Sequence, residues 1–121
     1  MMIYGIDFDG TIVEHCYPQI GAPKQRTIEF IRWVEKAGHK WILITMREGK
    51  RLQDAVDWLK AHDLHPEAVN DNIQMIKDVF RCNPRKIFAN MYIDDHNAGG
   101  LYIPDTPTED VTEKLYPKDD A

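Results

Sequence analysis

Cysteine is scarce: Cys16 and Cys82 are the only two in 121 residues. They lie far apart, with neither the close spacing of a zinc site nor the number that a disulfide framework needs. The thiols read as reduced, in a cytoplasmic protein. Long apolar runs are also missing, and no stretch approaches the roughly 20 residues of a membrane-spanning helix. The opening Met1-Met2-Ile3-Tyr4-Gly5-Ile6-Asp7 has no basic n-region and no cleavage site, so it does not read as a secretion signal. There is no internal repeat and no low-complexity segment. Basic charge is in deficit, with 15 Lys and Arg against 20 Asp and Glu and a net charge of -5. That balance argues against a general nucleic-acid binder.

The charge is uneven. Residues 1–60 hold nine basic and eight acidic side chains, and residues 61–121 hold six and twelve. Six acids and two lysines fall within residues 104–121. Four more acids, Asp7, Asp9, Asp94 and Asp95, belong to the constellation described below, and the remainder carries thirteen basic against ten acidic residues. The body is therefore mildly basic, which weakens the charge argument against nucleic acid. What survives is the lack of a concentrated basic patch or an aromatic readout motif, so there is no clear nucleic-acid signature. Hydrophobic residues make up 43%, enough for one folded domain that buries about two-thirds of the surface its unfolded chain exposes.

Met2–Phe8 is a short apolar run that stops at the turn signal Asp9-Gly10-Thr11, and it reads as a buried strand. Residues 11–26 are irregular. A helix fits Thr27 to Ala37, with Ile28, Ile31 and Val34 on one face and Gly38 as its stop. Lys40–Thr45 is a second buried strand. Leu52, Ala55, Val56 and Leu59 mark an amphipathic helix over Arg51–His62. Ala68-Val69 suits a short third strand, and Asn70, Asp71 and Asn72 offer caps for a helix through Phe80. Ile87–Ile93 is a further strand region, and Leu101–Ile103 suits a last one. Strands alternating with helices predict a single Rossmann-like α/β domain, a mainly parallel sheet flanked by helices. It spans residues 1–103, followed by an acidic tail over 104–121.

In such sheets ligands bind beyond the carboxyl ends of the strands. Asp7 and Asp9 end the first strand, Thr45 the second, and Asp94 and Asp95 the late one. Four carboxylates in one crevice repel, and buried ones need a cation or donors. A divalent ion with oxygen ligands relieves the conflict, which points to Mg²⁺.

Asp7-Phe8-Asp9-Gly10-Thr11, Thr45 after Ile42-Leu43-Ile44, Lys86, and Asp94-Asp95 after Tyr92-Ile93 follow one another in order. Together they resemble the four motifs of the haloacid dehalogenase superfamily of phosphohydrolases and phosphotransferases, over residues 2–97. The resemblance implies that Asp7 is the nucleophile, forming an aspartyl-phosphate, and that Asp9 is the acid and base. It implies Mg²⁺ held by Asp7, Asp94 and the main-chain carbonyl of Asp9. Asp95 would orient Lys86 or hold a metal-bound water. Gly10, Thr45 and Lys86 would bind the phosphoryl group, with Thr45 and Lys86 counted among the catalytic residues. Arg85 competes with Lys86 for its role. Arg47 lies near the mouth, where a substrate anion and a salt bridge are equally good partners.

The implied function is a Mg²⁺-dependent phosphatase. The alternatives are a phosphotransferase and a non-catalytic phosphate-binding regulatory module. Two helices and a strand of the core use up the residues between Thr45 and Lys86, and residues 12–26 leave room only for a short loop. The resemblance is therefore to a small member without a cap domain. An open site admits a phosphorylated macromolecule as well as a small molecule. It also admits cover by a second copy in a homo-oligomer, or by a flap over His15–Pro23. Trp33, Trp41 and Trp58 read as packing residues. Thr106-Pro107-Thr108-Glu109 resembles a capping box before a short helix.

Overall fold

A computed structural model describes residues 1–106. The capping box and helix read into the tail fall outside the described residues. The elements run β1 (Ile3–Asp7), α1 (Gln25–Lys36), β2 (Lys40–Ile44), α2 (Gly49–Ala61), β3 (Ala68–Val69), α3 (Gln74–Phe80) and β4 (Met91–Ile93). The strands form one sheet in the order β3-β2-β1-β4, and every pairing is parallel. The α/β architecture read from the alternating elements is thus present. No helix among the described residues is long and apolar enough to cross a membrane.

β1 is central, so both its faces must be apolar. Tyr4 and Ile6 join Trp41, Leu43 and Ile93 in one cluster with Ile28, Ile31 and Val34 of α1 and Ala55 and Leu59 of α2. The alternate residues Ile3 and Ile42 meet Ile73, Ile76 and Ala89 on the other side. This period-two alternation lets one strand serve two layers of helices. Trp41 is buried, and Trp33 and Trp58 pack against the core. Gly38, at φ +82°, ends α1 as its position predicts.

Three expectations about local structure fail. The strand region Ile87–Ile93 contracts to Met91–Ile93 because side chains take the backbone groups before it. Phe88 N–H donates to Asn72 Oδ1 at 2.7 Å, and Ala89 N–H donates to the Tyr92 hydroxyl at 3.2 Å. Leu101–Ile103 forms no strand; Ile103 is buried as an anchor, and its carbonyl accepts from Arg26 at 3.0 Å. None of Asn70, Asp71 and Asn72 caps α3, whose N-cap is Ile73. Asn72 is instead buried, and its amide nitrogen reaches Asn83 Oδ1 and the Pro84 carbonyl.

Candidate active site

The strand order places the topological switch point between β1 and β4. From β1 the chain runs outward through β2 to β3, then returns to the other side of β1. A crevice at the carboxyl ends follows from that reversal. A cavity of about 410 Å³ opens there. Asp7, Thr45 and Asp94 reach it from β1, β2 and β4 respectively. Asp9, His15, Tyr17, Met46, Arg47 and His96 complete its lining.

Asp7 is half-buried, and its Oδ2 accepts from Thr11 Oγ1 at 3.1 Å. The same hydroxyl oxygen accepts from the Asp95 N–H at 3.1 Å. Thr11 therefore ties the first acidic motif to the last. Gly10 makes the approach possible. It sits at φ +87°, and a Cβ there would lie 2.3 Å from Asp95 Oδ2. Lys24 Nζ donates to the Gly10 carbonyl at 3.1 Å and helps to hold the loop. Burial, then the charge of Asp94 and to a lesser degree that of Asp95, pushes the Asp7 carboxyl up to about 7; hydrogen bonds from Thr11 and Phe8 oppose the rise.

The donor set fits a hard cation. Asp95 Oδ1 is buried without a hydrogen-bond partner, and an orphaned carboxylate oxygen is costly unless something positive faces it. Asp7 and Asp94 supply further carboxylate oxygens. Together these match the oxygen preference of Mg²⁺. Ligand atoms of Asp94, Asp95 and His96 also lie within 4.8 Å of one another. The His96 side chain is 82% exposed, with Nδ1 at 3.7 Å from Asp94 Oδ1 and 3.6 Å from Asp95 Oδ1, too long for a hydrogen bond.

Asp9 is engaged by a different partner. Arg47 Nε lies 2.7 Å from Asp9 Oδ2, and Nη2 lies 2.8 Å from Oδ1. The guanidinium also donates to the carbonyls of Pro18, Gln19 and Arg51. It lies over the rings of Phe8 and Tyr17 at 5.2 and 5.1 Å. Of the two partners read for Arg47 from its position, the salt bridge is the one formed. Arg47 also fastens the loop over His15–Pro23, a role without a signal in the residue pattern, and the Glu14 N–H to Ala22 carbonyl bond of 2.7 Å closes that loop at its base. The Asp9 hydrogen bond is the main reason that the Arg47 proton is held more tightly than usual.

Thr45 lines the cavity, and its Oγ1 accepts from the Arg47 N–H at 3.1 Å. The hydroxyl proton is left to donate. Lys86 is not brought into the cavity with the others. It is exposed and lies over the Tyr92 ring at 5.9 Å. Its contact is with that ring, whereas Asp95 packs on Gly10. Arg85 does not line the cavity either. Tyr17 and Met46 have no signal in the sequence beyond lying near the motifs.

No protein-family model and no curated protein matches the chain. Among solved structures it is similar to a conserved protein coded by a locus of Bacteroides thetaiotaomicron. Identity is 39%, the TM-score is 0.73, and the match covers 86% of this chain and 82% of that one.

Proposed function

The chain belongs to the family of that conserved Bacteroides protein, and we propose from the site itself that it is a Mg²⁺-dependent phosphatase acting through an aspartyl-phosphate on Asp7. The observation that carries this reading is the convergence of Asp7, Thr45 and Asp94 from three parallel strands on one cavity. A carboxyl crowded as Asp7 is needs a cation beside it to serve as a nucleophile at neutral pH. The Asp7 and Asp94 carboxylates and the Asp9 main-chain carbonyl would hold Mg²⁺, with Asp95 behind them. Bound there, the ion neutralises the acids and draws charge from the phosphoryl oxygens.

The chain's own residues do the rest. An Asp7 oxygen attacks phosphorus, and the phosphorus–oxygen bond of the ester breaks, its electron pair leaving with the organic oxygen. Gly10 leaves room for Asp95 beside the loop and does not line the cavity, and the Thr45 hydroxyl donates to a phosphoryl oxygen. A water then attacks the phosphorus and gives its proton to Asp9, whose oxygens each keep a lone pair beyond those facing Arg47. Phosphate leaves, the Asp7 carboxylate is restored, and Asp9 passes the proton it took through solvent to the departed organic oxygen. Lys86, outside the cavity, has no part in this scheme.

Purified protein with Mg²⁺ should hydrolyse an aryl phosphate, and EDTA should abolish the activity. Phosphate binding with no turnover across a broad panel of phosphomonoesters would favour the regulatory-module alternative instead. Transfer of the phosphoryl group to an added alcohol in preference to water would favour a phosphotransferase.

A further inference from the structure

We infer that the cavity selects phosphate compounds whose organic group is a planar aromatic ring, held between Tyr17 and Met46; the inference rests on the phosphatase reading of the same cavity. Tyr17 is 54% exposed although its ring is fixed, because Arg47 lies 5.1 Å from its centroid. The guanidinium is itself immobile, held by Asp9 and by three carbonyls, those of Pro18 and Gln19 lying beside Tyr17 in the chain. The ring is thus pinned on one side and open on the other, in the lining of the cavity that holds Asp7. A rigid aromatic wall binds a flat partner with little ordering cost.

Met46 supplies a second apolar surface in the same cavity. It follows Thr45 directly, lines the same cavity and is fully exposed. A fully exposed methionine contributes nothing to the core, and its polarisable thioether makes favourable contacts with aromatic rings. Both side chains line the cavity that Asp7 and Asp94 enter at the strand ends. A phosphoryl group at Asp7 would leave its organic substituent between them. Asp9 supports the same choice: both its oxygens already accept from Arg47, at 2.7 and 2.8 Å. A phenolic leaving group needs less help from an acid than an alkyl one does.

The test compares phenylphosphonate with methylphosphonate, neither of which can be hydrolysed at the phosphorus–carbon bond, by calorimetric titration of the full chain with Mg²⁺. Phenylphosphonate should bind about fivefold more tightly, since one ring contact of this kind is worth about 1 kcal/mol. Tyr17→Ala should remove most of the preference, and Tyr17→Phe should keep it. Met46→Ala should reduce it about threefold; the exposure of Met46 makes this variant informative even if Tyr17→Ala does not fold. Equal binding of the two phosphonates, or a preference unmoved in Met46→Ala and Tyr17→Ala, would overturn the inference. A phenyl preference without turnover of any phosphate would overturn the phosphatase reading and leave the ring subsite standing.

Discussion

Arg47 grips both carboxylate oxygens of Asp9, at 2.7 and 2.8 Å, from a side chain that is 1% exposed. Removing the cation would strand a carboxylate that is itself only 14% exposed. Arg47→Met should therefore destabilise the protein by about 3 kcal/mol or more, as broken buried pairs do. Arg47→Met with Asp9→Asn should cost less than the two single changes together. Urea denaturation of the four proteins measures the coupling; strictly additive costs would mean that the pair is not coupled. Arg47→Lys should not restore stability, because an ammonium cannot form the bidentate contact.

The pH dependence of stability follows from Asp7. Its folded value of about 7 lies above its ordinary value of 3.8. Between these values the folded protein keeps a proton that the unfolded chain has released. The stabilising contribution is thus fully present below the lower value and lost as pH rises through the upper one. In EDTA, the urea midpoint should fall between about pH 5 and about pH 8, and Asp7→Asn should flatten much of that fall. Added Mg²⁺ should stabilise the protein more at the higher pH, where the acids are ionised. A midpoint that rose across this interval and ignored Asp7→Asn would contradict the burial and charge argument.

Gly10 joins the two acidic motifs by leaving space. Gly10→Ala adds a Cβ 2.3 Å from Asp95 Oδ2 at a φ of +87°. The left-handed backbone alone costs about 1–3 kcal/mol for such a residue. Displacement of Asp95 should also weaken Mg²⁺ binding, measured by calorimetry. Unchanged affinity would mean that Asp95 has no bearing on the cation.

Asn72 offers a control away from the cavity. Its buried amide serves Asn83, Pro84 and Phe88 and so holds the irregular run that leads to β4. Asn72→Ala should cost about 2–3 kcal/mol, since groups buried around it lose their partners. Full stability in that variant would show that the run is held otherwise.

Much of the fold was legible because β1 and β2 are apolar apart from Asp7 and Lys40 at their ends and the helical stripes on α1 and α2 are regular. The carboxyl-end rule then brought Asp7, Thr45 and Asp94 together with no knowledge of the contacts. Spacing failed at Lys86. Eight positions before Asp94 would locate it if the chain between were one strand, but Asn72 and Tyr92 take the backbone groups there, and Lys86 ends over the Tyr92 ring. The Arg47 clamp was legible only as one of two partners, since its grip on Pro18 and Gln19 depends on how the loop folds back. Ile103 read as a strand residue because it is apolar; burial was the correct part of that reading and sheet pairing was not.

The phosphoenzyme reading is tested most directly by trapping the intermediate. The full chain is mixed with Mg²⁺ and phenyl phosphate, quenched in acid, reduced with borohydride and digested for mass spectrometry. An acyl phosphate on Asp7 would be reduced to homoserine at that position, only when both substrate and Mg²⁺ had been present. The contradicting result is phenyl phosphate hydrolysis that continues undiminished in Asp7→Asn, with no homoserine at position 7 of the unsubstituted protein.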